Sequence, residues 1–436
     1  DYTVTLTAWF GSSSTTTTFS GSQAVVNRSE SEFGAGWWLA GLDRLFVSSA
    51  GALLVESGGD SLWYAADGSG GYLSATGDAR FATLVENGGG DFTLTAKSGE
   101  TWNFSSLGLL TSVVDTNGNT VEFDYTDADS DSVADELAQI TDPFSRTTDL
   151  SYSGGLLDSW EDFAGRVVTF GYDSGRLATV TLPDPDGGGV LASPEIDYAY
   201  DGSTGLLTGI TDSLSHATTF AYDAASLRLA TVTNPDSSTR ELSPVLTIGL
   251  ASGSGNSLTA PADAIGTLTD ERDQEWTFTT DSLGDVRTST DPLGNTTTID
   301  YDQRGLPFRV TQADPDGSGP LASPVTLLGY NALGDNVLVV YPGGATASRT
   351  FDATLHRVLT ETDELGRTWT YTLDAYGNVA TAEDPAENTW SFEYDAGGRT
   401  IGVTSPDPDG AGAQSAAVTE FEYDAYGRLI TQTNAD

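Results

Sequence analysis

The chain has 436 residues and sets 18 Lys+Arg against 63 Asp+Glu, a formal net charge of -45 at pH 7. A field of that sign repels nucleic-acid phosphates and anionic lipid headgroups, so neither nucleic acid nor a membrane surface is an expected partner. The lack of cysteine excludes disulfides, thiolate zinc centres and cysteine nucleophiles together, and the lack of methionine makes the chain an expected processed product or piece of something longer.

Residues 1–112 read as β-rich. Thr3 to Trp9 alternates polar and apolar, Ser61 to Tyr64 and Arg80 to Val85 are short apolar runs, and glycine clusters such as Gly88-Gly89-Gly90 separate them. No apolar run approaches the roughly 18 residues of a membrane-spanning helix, so no membrane insertion is expected.

From Val113 to the end, at 113–436, short alternating strands and Asp-led turns recur. The first interruption is Tyr125 to Leu137, with carboxylates at alternate positions. Counted from Asp127 as a calcium loop, Asp129 and Asp131 fall at the third and fifth positions and Asp135 at the ninth, with the Val133 carbonyl at the seventh. Ser132 stands where such loops carry glycine and Ala138 where they carry the bidentate Glu, a role Glu136 takes if the chain bends differently. Two readings stay open: a calcium site built from Asp127, Asp129, Asp131, Asp135 and Glu136, or an unliganded acidic loop.

A second insertion occurs three times, at Leu182 to Gly189, Asp314 to Gly319 and Asp407 to Gly412, each built on Asp-Pro-Asp-Gly. Proline and glycine favour tight turns here, and paired aspartates at a loop tip are an alternative cation site. Because each interrupts the array at an equivalent corner, all three loops are predicted on one rim of the sheet. The Ser/Gly/Ala-rich stretch near 244–270 departs from the repeat and reads as an irregular insertion or linker.

The rhythm is clearest after Asp291. Asp291 to Gly294, Asp302 to Gly305, Asp363 to Gly366, Asp374 to Gly377 and Asp424 to Gly427 repeat D-x-x-G, which places Asp where its carboxylate bonds the backbone ahead and Gly where positive φ costs little. Between corners, Trp369, Tyr371 and Leu373 oppose Thr368, Thr370 and Thr372, which gives one aromatic and one polar face. Stacked in register, such hairpins form one long sheet, with the Tyr of each Tyr-Asp in an aromatic row and the Asp holding the turn.

Catalytic signals are few. His216 and His356 are the only imidazoles, neither in a triad motif and each expected at the surface; Lys97, the single lysine, has no phosphate-binding loop around it. With 63 acidic residues, a carboxylate pair spaced for glycoside hydrolysis is expected by chance. No enzyme activity is predicted.

Tyr423-Asp424-Ala425-Tyr426-Gly427-Arg428-Leu429, Tyr394-Asp395-Ala396-Gly397-Gly398-Arg399 and Asp291-Pro292-Leu293-Gly294-Asn295 resemble the YD repeats of Rhs proteins, teneurins and insecticidal toxin-complex C components. Phe33-Gly34-Ala35-Gly36-Trp37, followed by Leu42-Asp43-Arg44-Leu45, resembles the phrase that opens many Rhs shells. The resemblance implies an all-β hairpin array that spirals into a shell or solenoid, open or partial at this length, with 1–112 as its opening region. Toxin-bearing members end the shell in a self-cleaving D-P-x-G-x-x-x-G-x-N-x-Y type core; this sequence contains no such run, so neither autoprotease nor cargo is expected within it.

The functional expectation is a non-enzymatic extracellular structural protein, a shell or fibre segment at a bacterial cell surface, with self-association through sheet edges. Two alternatives accompany it: the encapsulating shell of a polymorphic toxin, and an adhesion module that binds a glycan or cell-surface partner through its rim loops.

Overall fold

The computed structural model describes residues 2–10, 13–21, 26–69, 71–73, 81–243, 251–252, 258–259, 264–281, 284–317, 319–410, 412 and 414–434. All regular structure in them is β. Thirty antiparallel strands, from Thr83–Glu86 to Leu429–Asn434, form one sheet in which each strand pairs with its neighbours along the sheet in chain order. No ladder joins Leu429–Asn434 to Thr83–Glu86 among the described residues, so the sheet is a strip with two ends and not a closed barrel. Most of the 244–270 insertion lies outside the described residues; its last part supplies the strand Ala264–Thr269.

The corners explain why the strip forms. At Asp424 the N–H reaches the Arg428 carbonyl at 2.9 Å, and the Gly427 N–H returns to the Asp424 carbonyl at 3.0 Å. This is a turn closed by a residue in the left-handed region, the three-residue hairpin loop with a bulge. Oδ1 of Asp424 accepts the N–H groups of Tyr426 and Arg428, both at 2.9 Å, and Oδ2 accepts Arg428 Nε at 2.6 Å. Asp363 with Arg367, Asp395 with Arg399 and Asp291 with Asn295 repeat the arrangement. The fourth residue has positive φ, 76° at Gly427 and 77° at Gly366, which only glycine adopts without strain.

The strands confirm the two-faced pattern. Hydroxyls of Thr372 and Thr381 lie 2.6 Å apart, those of Thr350 and Thr360 lie 2.7 Å apart, and Trp369 stacks on Trp390 at 5.8 Å between centroids. Each Tyr-Asp strand has a register shift just before its Tyr, as between Glu393 and Tyr394. From there the hydroxyl donates to the carbonyl that opens the preceding strand: Tyr125 to Leu110 at 2.8 Å, Tyr394 to Val379 at 2.9 Å, Tyr423 to Thr400 at 2.8 Å. The repeated Tyr therefore ties one hairpin to the one before it.

The buried core lies where the opening region meets the first strands. Leu45, Ala52, Leu54 and Tyr64 pack with Phe104, Leu110, Leu137 and Leu157. The Phe33-Gly34-Ala35 phrase reaches further along the strip, with the Leu157 N–H on the Glu32 carbonyl and the Ala35 N–H on the Gly175 carbonyl, both at 2.8 Å. Trp37 Nε1 donates to the Tyr200 hydroxyl at 2.7 Å.

Hairpin corners alternate between two rims. One, the Tyr-Asp rim, carries corners 331–335, 352–357, 374–378, 395–399 and 424–428; the opposite rim carries 96–100, 115–119, 142–146, 162–166 and 212–216. The late Tyr-Asp corners sit on the early opposite-rim corners. Asn378 Nδ2 donates to Asn117 Oδ1 at 2.8 Å across 261 residues, and Asn119 Nδ2 donates to the Gly397 carbonyl at 2.9 Å across 278. Arg399 lies over Phe144 at 5.5 Å, and Phe163 meets Tyr426 at 6.2 Å. The strip thus coils until a later turn rests on an earlier one, the sense in which the array is a spiral. Strand twist, which has one hand and accumulates along the sheet, bends it that way.

Candidate functional site

The acidic loop between Thr120–Thr126 and Glu136–Thr141 follows a register shift at Asp124/Tyr125. It brings ligand atoms of Asp127, Asp129 and Glu136 within 4.8 Å of one another. Glu136 is buried, and burial raises its carboxyl although the Ala128 N–H donates to Oε2 at 2.8 Å. Ser132 has φ +78°, so it takes the conformation glycine holds in such loops, and its N–H donates to Asp127 Oδ2 at 3.1 Å. The two remaining predicted residues stand apart from this trio. Asp131 accepts the Val133 N–H at 2.7 Å, and Asp135 pairs with Arg44 at 3.4 Å. Three converging carboxylates are hard oxygen donors suited to calcium, which takes about 6–8 oxygens.

The Asp-Pro-Asp-Gly loops all fall on the opposite rim, as their equivalent corners predict. Their carboxylates are occupied by backbone. Asp184 accepts the N–H groups of Asp186, Gly187 and Gly188, and Asp186 accepts those of Gly189, Val190 and Leu191, at 2.7–3.1 Å. This is turn chemistry, and the loop tip presents Val190 and Leu191 to solvent.

The two histidines differ. His216 is exposed and pairs with its own corner Asp212 at 3.0 Å. His356, expected at the surface, is instead largely covered: its side chain is 9% exposed, with Nδ1 2.7 Å from Asp335 Oδ2. Asp335, whose side chain is 3% exposed, also accepts Lys97 Nζ at 3.0 Å and Asn331 Nδ2 at 2.8 Å. Burial alone raises the Asp335 carboxyl, and the His356, Asn331 and Lys97 bonds outweigh it and hold it below the usual range. Lys97 belongs to an early corner and Asp335 and His356 to late ones, so the cluster is a clamp in the seam. No local spacing announces it, because Lys97 and Asp335 are 238 residues apart in the chain.

Glu32 also escaped the motif reading. Burial pushes its carboxyl up to about 7, against the attraction of Arg44. It lies beside a cavity of about 450 Å³ that Arg28, Arg44, Trp38 and Phe46 also line. Only its position one residue before Phe33-Gly34-Ala35-Gly36-Trp37 marked it in the sequence.

The RHS Repeat family matches residues 198–239, 351–386 and 374–410. Among solved structures, the Tc holotoxin pore of Photorhabdus luminescens is similar at 13% identity and a TM-score of 0.40, over 88% of this chain and 21% of that one. The TcdB2-TccC3 complex is similar at 13% identity and a TM-score of 0.39, over 90% of this chain and 27% of that one. The chain therefore spans about a fifth to a quarter of the length of the solved chains it matches. No curated protein matches it. The matched stretches contain Tyr-Asp corners, among them those at Asp201, Asp223 and Asp395.

Proposed function

Because residues 198–239 and 351–410 match the RHS Repeat family, we propose that the chain is a non-enzymatic structural segment, a coiled β-wall that works by shape outside the cell or at a bacterial surface. The observation that carries this reading is the seam: Tyr-Asp corners at 374–378, 395–399 and 424–428 rest on corners 115–119 and 142–146 and make the strip a self-supporting coil. The acidic surface keeps such a wall dispersed.

Electron microscopy of the purified chain, with and without EDTA, tests the wall directly: short hollow coils are expected, and flat or unwound ribbons overturn the proposal. An Asn117→Cys/Asn378→Cys pair adds a solution measurement. The chain has no cysteine, so an intramolecular cross-link reports the seam alone.

Two further readings have their own support. Enclosure of a cargo, as in toxin shells, is favoured by the aromatic rows of the strip, such as the stacked Trp369 and Trp390. Adhesion to a glycan or cell-surface partner is favoured by the exposed apolar tips beside the Asp-Pro-Asp-Gly loops. For the acidic loop, we propose calcium held by Asp127, Asp129 and Glu136, the remaining positions filled by backbone carbonyls and water. Terbium luminescence titrated against calcium tests it; Asp129→Asn is expected to abolish the signal, and an unchanged signal refutes the site.

A further inference from the structure

The cavity of about 450 Å³ beside Glu32 is lined by two guanidinium groups, in a chain that sets 18 cationic side chains against 63 acidic ones. Along the strip, arginines sit on the aspartates of their own corners, as Arg146 does on Asp142, Arg367 on Asp363 and Arg428 on Asp424. Arg28 does not. Its Nη1 and Nη2 donate to the carbonyls of Ser57 and Glu56 at 3.3 and 3.1 Å, and among the described residues it meets no carboxylate. Burial lowers its pKa, with no neighbouring acid to offset the loss of water. Arg44 is little better matched: its carboxylate contact, Asp135, lies at 3.4 Å, and its buried Nε has no hydrogen-bond partner. A guanidinium carries five N–H donors, so both heads have donors to spare.

Much of the remaining wall is apolar. Arg28 lies over Trp38 at 5.2 Å and Arg44 over Phe46 at 5.6 Å, contacts that hold both heads at the cavity. Phe46, in the strand Arg44–Ser48, is 50% exposed; its register partner Leu53, in Gly51–Val55, stands on the same face, and Val55 completes that side. Two acids also line the cavity. Glu30 is exposed, and Glu32 is the carboxyl that burial pushes toward its neutral form. The volume falls within the range of small-molecule sites, about 300–1,000 Å³.

We propose that this cavity binds a small organic carboxylate with an apolar body, its carboxylate on the Arg28 and Arg44 guanidinia and its body against Phe46, Leu53 and Val55. A carboxylate supplies the paired oxygens that fit a guanidinium's fork, which two backbone carbonyls and a long contact to Asp135 do not. The apolar body covers surface that an inorganic anion leaves in water. The site goes beyond the wall reading and does not rest on it, since the cavity belongs to the opening region and not to the seam.

Calorimetric titration of the full chain with octanoate, 1-octanol and acetate tests this, at about 0.15 M salt, where the overall charge acts only within about 8 Å. Octanoate is expected to bind at one site per chain. Acetate keeps the charge without the chain and 1-octanol the chain without the charge, so each is expected to bind at least about tenfold more weakly. Arg28→Gln and Arg44→Gln are each expected to weaken octanoate by about tenfold or more and to leave 1-octanol unchanged, a split that a merely structural loss does not give. Phe46 is half exposed, so the fold tolerates Phe46→Ser, which should weaken octanoate and 1-octanol together. No binding of octanoate to wild type overturns the proposal, as does 1-octanol or acetate binding as tightly as octanoate, or both arginine variants binding octanoate like wild type. If an arginine variant does not fold, the wild-type comparison of the three ligands decides alone.

Discussion

Replacing Asp335 with alanine puts the coil to its most direct test, because that carboxylate joins Lys97 of an early corner to Asn331 and His356 of late ones. The substitution removes acceptors for Lys97 Nζ at 3.0 Å, Asn331 Nδ2 at 2.8 Å and His356 Nδ1 at 2.7 Å. Breaking a buried charged pair by deleting one partner costs about 3–5 kcal/mol. Lys97 is 29% exposed and regains some hydration, which places the expected loss near the low end, about 3 kcal/mol. At 1.4 kcal/mol per decade, that is roughly a hundredfold rise in local opening. Hydrogen exchange reads it, since amides of 96–100 and 331–335 should lose about that factor of protection while those of corner 212–216 do not change. The pH dependence follows from the depressed carboxyl. Its contribution is complete above the unfolded value of about 3.9 and is lost as pH falls through the lower folded value, so wild type should lose seam protection in acid and Asp335→Ala should not lose more. Unchanged protection in the variant at neutral pH refutes the clamp.

Three other outcomes are expected. Tyr394→Phe removes the hydroxyl that bonds the Val379 carbonyl at 2.9 Å and should lower stability to urea by about 1 kcal/mol, with unchanged strand content by circular dichroism. Glu387 holds φ +65° at a corner position that elsewhere carries glycine, so Glu387→Gly trades about 1–2 kcal/mol of left-handed strain against about 0.5–1 kcal/mol of added unfolded-state freedom, a net gain measurable by the same titration. Glu32 has a raised folded value of about 7, so native protein holds a proton that unfolded chain releases, and stability falls as pH rises from about 4.3 to 7. Glu32→Gln should therefore be neutral at acid pH and stabilising by about 4 kcal/mol above 7, at 1.36 kcal/mol per pKa unit; equal gain at both pH values would contradict the burial.

The acidic loop shows how far spacing reaches into a site. Asp127 and Asp129, alternate in the sequence, lie beside each other because both belong to one short loop. Spacing did not reveal that Arg44, 91 residues earlier, pairs with Asp135, while Glu136, named as the stand-in for the missing bidentate Glu, does lie with Asp127 and Asp129. Likewise His356 lies in a repeat-like corner that looks surface-exposed until Asp335 and Lys97 close over it.

The division has a physical origin. Hydrogen bonds within an Asp-x-x-Gly corner span at most four residues, as between Asp424 and Arg428, and strand faces follow from a period of two, so both are written in the local sequence and were readable there. The seam depends on twist summed over many strands, a quantity no single repeat contains. Whether Asn117 meets Asn378 and whether Phe144 finds the bare backbone of Gly427 were decided only when that sum brought one rim onto the other.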